Sequence, residues 1–344
     1  MGTVTPETLL DTCARAFPDR RIAGISGVTD LSTGWESELH AFVLEWGTGA
    51  DRRRDGLVLR LYPGDGGAAK SAHEFRSMRR LRGAGYPVPE VFALEQGDVP
   101  FGKPFILMEK IDGGEMWPLL SRSSEKIRED LLTLFCELFV RLHALDWRIF
   151  SDEADRDADD PYRFVDGWLR VARETIRNSP EYVDFLPVAA WLEERRDALP
   201  CRRPSPVHQD FHPNNVMVRP DGSAVVIDWT GFAVTDPRFD LAWTTMLAYV
   251  YAGTELRDRI LHEYARLSGA PVEHIACFEV CACARRLHDI AVSLSEGAER
   301  QGMRPEVVAA MRRQKAQIGR VYDMLTERTG LRIPRVETLI ASLA

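Results

Sequence analysis

Three side chains close together in the chain have the types and spacing for phosphoryl-transfer chemistry: Asp210, Asn215 and Asp228. They stand in a stretch, Val207 to Trp229, that reads as a loop feeding a β-hairpin. Two apolar triplets, Val216-Met217-Val218 and Ala224-Val225-Val226, flank an Asp221-Gly222 turn. With Asp221 and Gly222 as the two central turn residues, the register sets Asn215 opposite Asp228, and opposed Cβ atoms lie roughly 4.5–5.5 Å apart. An amide oxygen and a carboxylate at that separation can share a hard cation. Magnesium takes oxygen ligands, usually only one or two of them carboxylates, and lets substrate phosphates complete its shell. Asp210, five residues ahead of Asn215, is the second carboxylate: one accepts the proton of an attacking hydroxyl, and the other holds the metal on the phosphates. Taken singly, each residue has an ordinary use, since Asp210 can cap a turn, Asn215 can begin a strand and Asp228 can end one. The combination, in register, favours chemistry.

The elements that must position these residues divide the chain by type. The first 110 residues favour strands. Ile22 to Leu31 and Leu39 to Trp46 read as two strands around the polar loop Ser32 to Ser37, and Leu57, Leu59 and Leu61 alternate with Val58, Arg60 and Tyr62 at a period of two. Lys70 to Arg82 reads as a helix that stops at Gly83, Gly85 and Pro87. Phe105 to Met108 is a short buried strand ahead of Asp112-Gly113-Gly114. Helices then dominate. Ile127, Leu131, Leu134, Phe135, Leu138, Leu142 and Leu145 share one helical face, and Pro161 to Leu199, Leu256 to Ser268 and most of Pro271 to Thr329 read as helical too.

Composition narrows the class. A chain of 344 residues, 45% hydrophobic and 28% charged, supports about two globular domains and a sizeable core. The net charge of −8 speaks against a bulk grip on nucleic acid. The excess acid is uneven: residues 1–110 hold 14 Lys/Arg against 15 Asp/Glu, and residues 111–344 hold 30 against 37. Residues 151–160 alone carry six acids and one arginine, a solvated loop or an acidic lip for a cationic ligand. The six cysteines are dispersed and lack paired zinc spacing, so they read as small buried hydrophobes. The longest apolar stretch, Leu241 to Ala252, is too short to span a bilayer, and no leader pattern opens the chain. A cytoplasmic protein without a membrane or nucleic-acid partner is expected, its oligomeric state open.

His208-x-Asp210-x-x-x-x-Asn215 has the spacing of the protein-kinase catalytic loop, and Ile227-Asp228-Trp229 stands where kinases have Asp-Phe-Gly. The fuller pattern, from His208 through Asp228-Trp229 to Asp236-Pro237-Arg238-Phe239-Asp240, resembles the aminoglycoside phosphotransferase family, which includes choline kinases and other small-molecule kinases. The resemblance spans roughly residues 20 to 300. It implies an α+β, protein-kinase-like two-lobe fold, with a small antiparallel-sheet lobe that binds nucleotide (1–110) and a larger, mainly helical lobe carrying the catalytic loop and substrate-binding helices (111–344). Asp210 is then the catalytic base, Asn215 and Asp228 bind Mg2+, and His208, Asp240 and His212 brace the loop. Arg60 and Glu74 fit the strand cation and helix acid that hold the phosphates. Arginine replaces the usual lysine there. Met108, Glu109 and Ile111 match the hinge that reads adenine through the main chain, and Ser32 and Gly34 lie in a phosphate-covering loop that lacks the kinase glycine pattern. ATP is the implied nucleotide, with GTP not distinguished from it, and the acceptor is a hydroxyl of an aminoglycoside-like antibiotic or a metabolite. Trp168 and Asp289 are expected on the substrate side. Two other readings compete: a nucleotide-binding scaffold that has lost catalysis, motivated by Arg60 and the thin glycine loop, and a metallohydrolase built from His208, Asp210, His212 and Asp228.

Overall fold

The structure, a computed structural model, describes residues 3–31, 37–64, 66–97, 100–151, 160–301 and 303–343. In chain order the elements are α1 (Pro6–Ala16), β1 (Ile22–Asp30), β2 (Glu38–Trp46), β3 (Arg53–Leu61), α2 (Gly67–Gly83), β4 (Val91–Glu95), β5 (Phe105–Glu109), β6 (Gly114–Glu115), α3 (Met116–Arg122), α4 (Glu125–Ala144), α5 (Arg163–Asn178), α6 (Leu186–Glu193), β7 (Ser205–Val207), β8 (Val216–Val218), β9 (Ala224–Val226), β10 (Ala233–Thr235), α7 (Pro237–Ala252), α8 (Thr254–Ser268), α9 (Ile275–Glu296), α10 (Val307–Arg312), α11 (Lys315–Thr329) and α12 (Pro334–Ser342). They form two compact units. One comprises Met1–Leu119, Asn214–Gly231 and Gly302–Arg304, and the other Leu120–Pro213, Phe232–Gln301 and Pro305–Ala344.

The first unit is built on a five-stranded antiparallel sheet of order β1-β2-β3-β5-β4. Leu57, Leu59 and Leu61 of β3 pack with Phe42, Leu44, Phe105 and Leu107 and with Leu9 and Cys13 of α1. Val58 and Arg60, on the other face of β3, are also buried. An alternating strand is usually half solvated, but a central strand with elements on both faces is covered twice.

A second, three-stranded sheet of order β6-β8-β9 contains the hairpin. Its register is Val216 opposite Val226, Met217 opposite Val225 and Val218 opposite Ala224. The connection is a three-residue loop, Pro220-Asp221-Gly222, closed by Arg219 N–H to Ser223 O at 2.8 Å. Inside it the Gly222 amide donates to Arg219 O at 3.0 Å, and Gly222 takes φ +83°. Proline as the first inner residue of a turn, followed by a left-handed glycine, is the chemistry of a type I turn with a bulge. The two-residue turn read from the sequence is therefore corrected by one position. Asn215 faces Ile227, whose amide donates to Asn215 O at 2.9 Å, and Asp228 lies one residue beyond the pair with φ +66°.

In the second unit α5, α6, α7, α9, α11 and α12 share one apolar core, which takes in Cys281 and Cys283. Cys13, Cys136 and Cys201 are buried as well, and Cys277 is part-buried. The helical run expected over Pro161 to Leu199 breaks at Ser179-Pro180, because the residue before a proline is pushed out of the helical region. The run expected over Pro271 to Thr329 breaks at Gly297, with φ +97°. At the start of α7 the Asp236 carboxylate accepts from Arg238 N–H at 2.9 Å and Pro237 takes the first helical position, a strong helix start. Among the described residues no helix is long and apolar enough to cross a membrane.

Candidate active site

Within the first unit, Arg60 is the hub of a buried charged cluster. Its Nη1 donates to Glu74 Oε1 on α2 at 3.1 Å, and its Nη2 donates to Asp228 Oδ1 at 2.8 Å. Tyr62 Oη–H donates to Glu74 Oε2, and the Trp229 amide donates to Glu74 Oε1 at 3.0 Å. Burial disfavours charge on Arg60, but the facing Asp228 and Glu74 carboxylates outweigh it and hold the guanidinium firmly charged. Burial likewise pushes the Glu74 carboxyl above its ordinary value, with Arg60 opposing. Arg60 Nε is buried and has no hydrogen-bond partner among the described residues. Trp229 is fully buried edge-on to Tyr86, which fixes the turn that follows Asp228. Asp228 Oδ1 also accepts from Thr230 Oγ1–H at 3.2 Å.

The hinge candidates lie on the same unit. Met108 and Glu109 end β5. The Glu109 carboxylate is held by Arg219 at 2.6 Å and by the Glu90 amide at 3.1 Å. The Ile111 amide meets no acceptor among the described residues. Ser32 and Gly34 lie outside the described residues, as do positions 152–159 of the acidic stretch.

Within the second unit the loop residues His208 to His212 are braced from α7. Asp240, wholly buried in the first turn of that helix, accepts the amides of His208 and Gln209, each at 2.7 Å. Gln209 has φ +65°, a left-handed conformation that costs a non-glycine residue about 1–3 kcal/mol unless its surroundings enforce it. The paired amides on Asp240 supply that enforcement. His143 contacts Asp240 through Nε2 at 3.3 Å and Tyr264 Oη through Nδ1 at 2.8 Å. Phe211 anchors the loop, stacked on Phe139 at 4.3 Å, with its carbonyl accepting from Thr244 Oγ1–H at 2.6 Å. His208 is fully buried and its Nδ1 accepts the Asp210 amide at 3.3 Å.

Asp210 is thereby held with a half-exposed carboxylate. Its Oδ1 accepts the Trp243 indole N–H at 2.7 Å, and His212 Nε2 lies 3.5 Å from Oδ2. Desolvation alone would raise its pKa. The His212 hydrogen bond and charge, the Trp243 N–H and the nearby His208 outweigh this and hold the carboxyl well below the usual carboxylate range. The group is an anion at neutral pH, the state a proton acceptor needs.

The structure thus brings Arg60, Glu74 and Asp228 together in one unit, and His208, Asp210, His212 and Asp240 in the other. Trp243, Thr244, Gln209 and His143 were not singled out from the sequence. Trp243 and Thr244 follow Asp240 by three and four residues, so one helical turn of spacing was the available signal. Trp168 packs partly buried against the helical core, and Asp289 stands 3.9 Å from Arg285 Nε. Among the described residues no three His, Cys, Asp or Glu side chains are grouped to hold a metal ion. The pair Asn215 and Asp228 still suits magnesium, which needs few protein oxygens when phosphates supply others.

Over 210 residues the chain is 32% identical to mouse acyl-CoA dehydrogenase family member 10, a match that takes in 58% of this chain and 19% of that protein. The chain therefore spans about a fifth of that relative's length. Among solved structures, a thermostable mutant of aminoglycoside phosphotransferase APH(4)-Ia, in ternary complex with ADP and hygromycin B, is similar at a TM-score of 0.59 and 18% identity. That match covers 92% of this chain and 97% of the other. The streptomycin–ATP complex of APH(2")-IIa is similar at a TM-score of 0.53 and 19% identity, covering 85% and 90%. These likenesses show a protein-kinase-like fold. Residues 30–276, more than half of the chain and a span that holds Arg60, Glu74, Asp210, Asn215, Asp228 and Asp240, match the model of the phosphotransferase enzyme family, so the chain belongs to that family.

Proposed function

We propose that the protein transfers the γ-phosphoryl group of ATP to a hydroxyl of a small molecule, with Mg2+ as cofactor. The observation that carries the reading is the Asp210 carboxylate, kept ionised by His212 and Trp243 on a loop whose strained backbone is pinned by the buried Asp240. In the reaction Asp210 accepts the proton of the acceptor hydroxyl. The hydroxyl oxygen bonds to the γ-phosphorus as the bond to the bridging oxygen breaks, and ADP leaves. Arg60, fixed by Glu74, supplies a positive charge toward the phosphates. The unmatched Ile111 amide supports main-chain reading of the base beside Met108 and Glu109. Asn215 and Asp228 are the oxygen donors for the metal, which when bound neutralises phosphate charge. A relative in complex with GDP and kanamycin keeps GTP in view as an alternative nucleotide.

Asp210→Asn is expected to lower phosphoryl transfer at least about a thousandfold, within the usual worth of a general base, while ADP still binds in calorimetry. Full turnover in that variant overturns the assignment. A second reading, a nucleotide-binding scaffold without catalysis, is favoured by one contact: Arg60 Nη2 sits on Asp228, the residue assigned to the metal. Magnesium-dependent ATP consumption by the wild-type protein, lost in Asp210→Asn, discards the scaffold. Its absence with every hydroxyl compound offered, while ADP still binds, selects the scaffold.

A further inference from the structure

Beside Asp210, on the same unit, stands a positive charge that the protein itself leaves poorly matched. Trp243, whose indole N–H is on Asp210, carries the Arg285 guanidinium over its ring, Cζ lying 4.4 Å from the centroid. Arg285 projects from α9 and is exposed. Its Nη1 reaches the carbonyl and the side-chain oxygen of Gln209 only at 3.4 Å each, the outer limit of a hydrogen bond. Asp289, one turn along, is 3.9 Å from its Nε and also faces His288 Nδ1 at 3.6 Å. Other arginines of this unit are tightly paired: Arg238 with Asp236 at 2.6 Å and Arg257 with Glu279 at 2.7 Å. A guanidinium presents five N–H donors in a fork that matches carboxylate and phosphate. Among the described residues none of those on Arg285 is answered at ordinary length.

Resting on the kinase reading above, we propose that Arg285 binds an anionic group of the acceptor. The substrate is then a hydroxyl compound bearing a carboxylate or a phosphate, not a polycation. The hydroxyl lies at Asp210, and the anion meets the fork of Arg285, which the Trp243 ring carries beside it. A polycation would set like charge against Arg285. The competing role, in which Arg285 only supports the left-handed Gln209, predicts a different kinetic pattern.

The test measures ADP release from the full chain with ATP and magnesium, over acceptors matched in carbon skeleton. Glycerate and glycerol 3-phosphate are set against glycerol, gluconate and glucose 6-phosphate against glucose, and hygromycin B and kanamycin serve as polycations. The anionic member of a set is expected to exceed its neutral counterpart in kcat/KM by at least about tenfold, the worth of one charge-assisted contact. Which acid wins separates carboxylate from phosphate. Arg285→Gln is expected to raise KM for that acid about tenfold and Arg285→Glu about a hundredfold, with kcat changed less than about threefold. Arg285→Lys should recover part of the loss. Preference for the neutral or cationic compounds overturns the substrate class and leaves the kinase reading standing. A fall in kcat shared by all acceptors in Arg285→Glu assigns Arg285 to loop support and overturns the proposal. No turnover of any compound overturns both readings.

Discussion

At the scale of single residues, the clearest economy is the double use of Arg60. One guanidinium answers Glu74 through Nη1 and Asp228 through Nη2, with a planar fork that fixes the two directions. Arg60→Lys keeps the charge but not the fork. It is expected to weaken ADP binding about tenfold in calorimetry while unfolding at nearly the wild-type urea midpoint. Arg60→Met instead leaves Glu74 buried without its cation, and breaking a buried pair from one side costs roughly 3–5 kcal/mol. Its midpoint should fall sharply and recover in part when Glu74→Gln is added, because the double variant no longer buries a lone charge. Equal midpoints for Arg60→Met and Arg60→Lys would show that the cluster contributes no stability. This pairing was implied by the family resemblance, with Arg60 on the strand face opposite the leucines and Glu74 on the next helix. The third partner was not, because Asp228 is 168 residues away and its side-chain direction depends on a left-handed backbone that its residue type does not announce.

At the scale of elements, the loop and the hairpin are shaped by positions where backbone geometry decides. The buried Asp240 carboxylate takes two amides from consecutive residues, one of them at a strained φ. Asp240→Asn presents one acceptor and one donor to those two amides, so one N–H loses its partner in the interior, at about 1–3 kcal/mol. The expected outcome is a lower urea midpoint together with a loss of turnover, since Asp210 follows directly. Turnover at the wild-type level would mean that Asp240 does not set the loop. Gly113 is a second such position: a Cβ built there would lie 2.3 Å from the Val218 carbonyl oxygen, so Gly113→Ala must push β8 away from β6. We expect that variant to lose more than about 2 kcal/mol, whereas Gly114→Ala, which meets nothing within 4 Å, should stay near wild type in the same measurement. The hairpin shows where sequence pattern stops. Its two strands were legible from apolar triplets, as were β1, β2, β3, β5 and most of the helices from their patterns, but α1, β4 and α7 were not. The register slipped by one because Pro220 opens the turn a residue earlier than an Asp-Gly pair suggests. Trp243 and Thr244 are illegible for a related reason: helical spacing from Asp240 sets them on its side of α7, but only the fold shows that this side faces Asp210 and Phe211.

At the scale of the whole molecule, the net charge of −8 sets the response to acid. Among the described residues six carboxyls are held below their ordinary values: Asp210 by His212 and Trp243 against desolvation, Asp166 by Arg196, Asp221 by Ser223, Glu263 by Arg266, Glu337 by Tyr322 and Arg332, and Glu7 by backbone and Thr5 hydrogen bonds at a helix start. A group whose folded pKa is depressed contributes stability that is present above its unfolded value and lost as pH falls through the folded one. For these six the loss begins near pH 4 and deepens below it. Glu74 runs the other way. Burial raises its carboxyl, so stability tied to its neutral form is present below the unfolded value and lost as pH rises through the folded one. The depressed groups outnumber it, so the urea midpoint is expected to be nearly flat from pH 7 to pH 5 and to fall steeply between pH 4 and pH 3. Asp166→Asn, which removes one solvent-facing member gripped by both arms of Arg196 at 2.6 Å, should soften that fall without moving turnover at pH 7. A midpoint that climbs on acidification would mean that Glu74, and not the depressed carboxyls, governs how this fold meets acid.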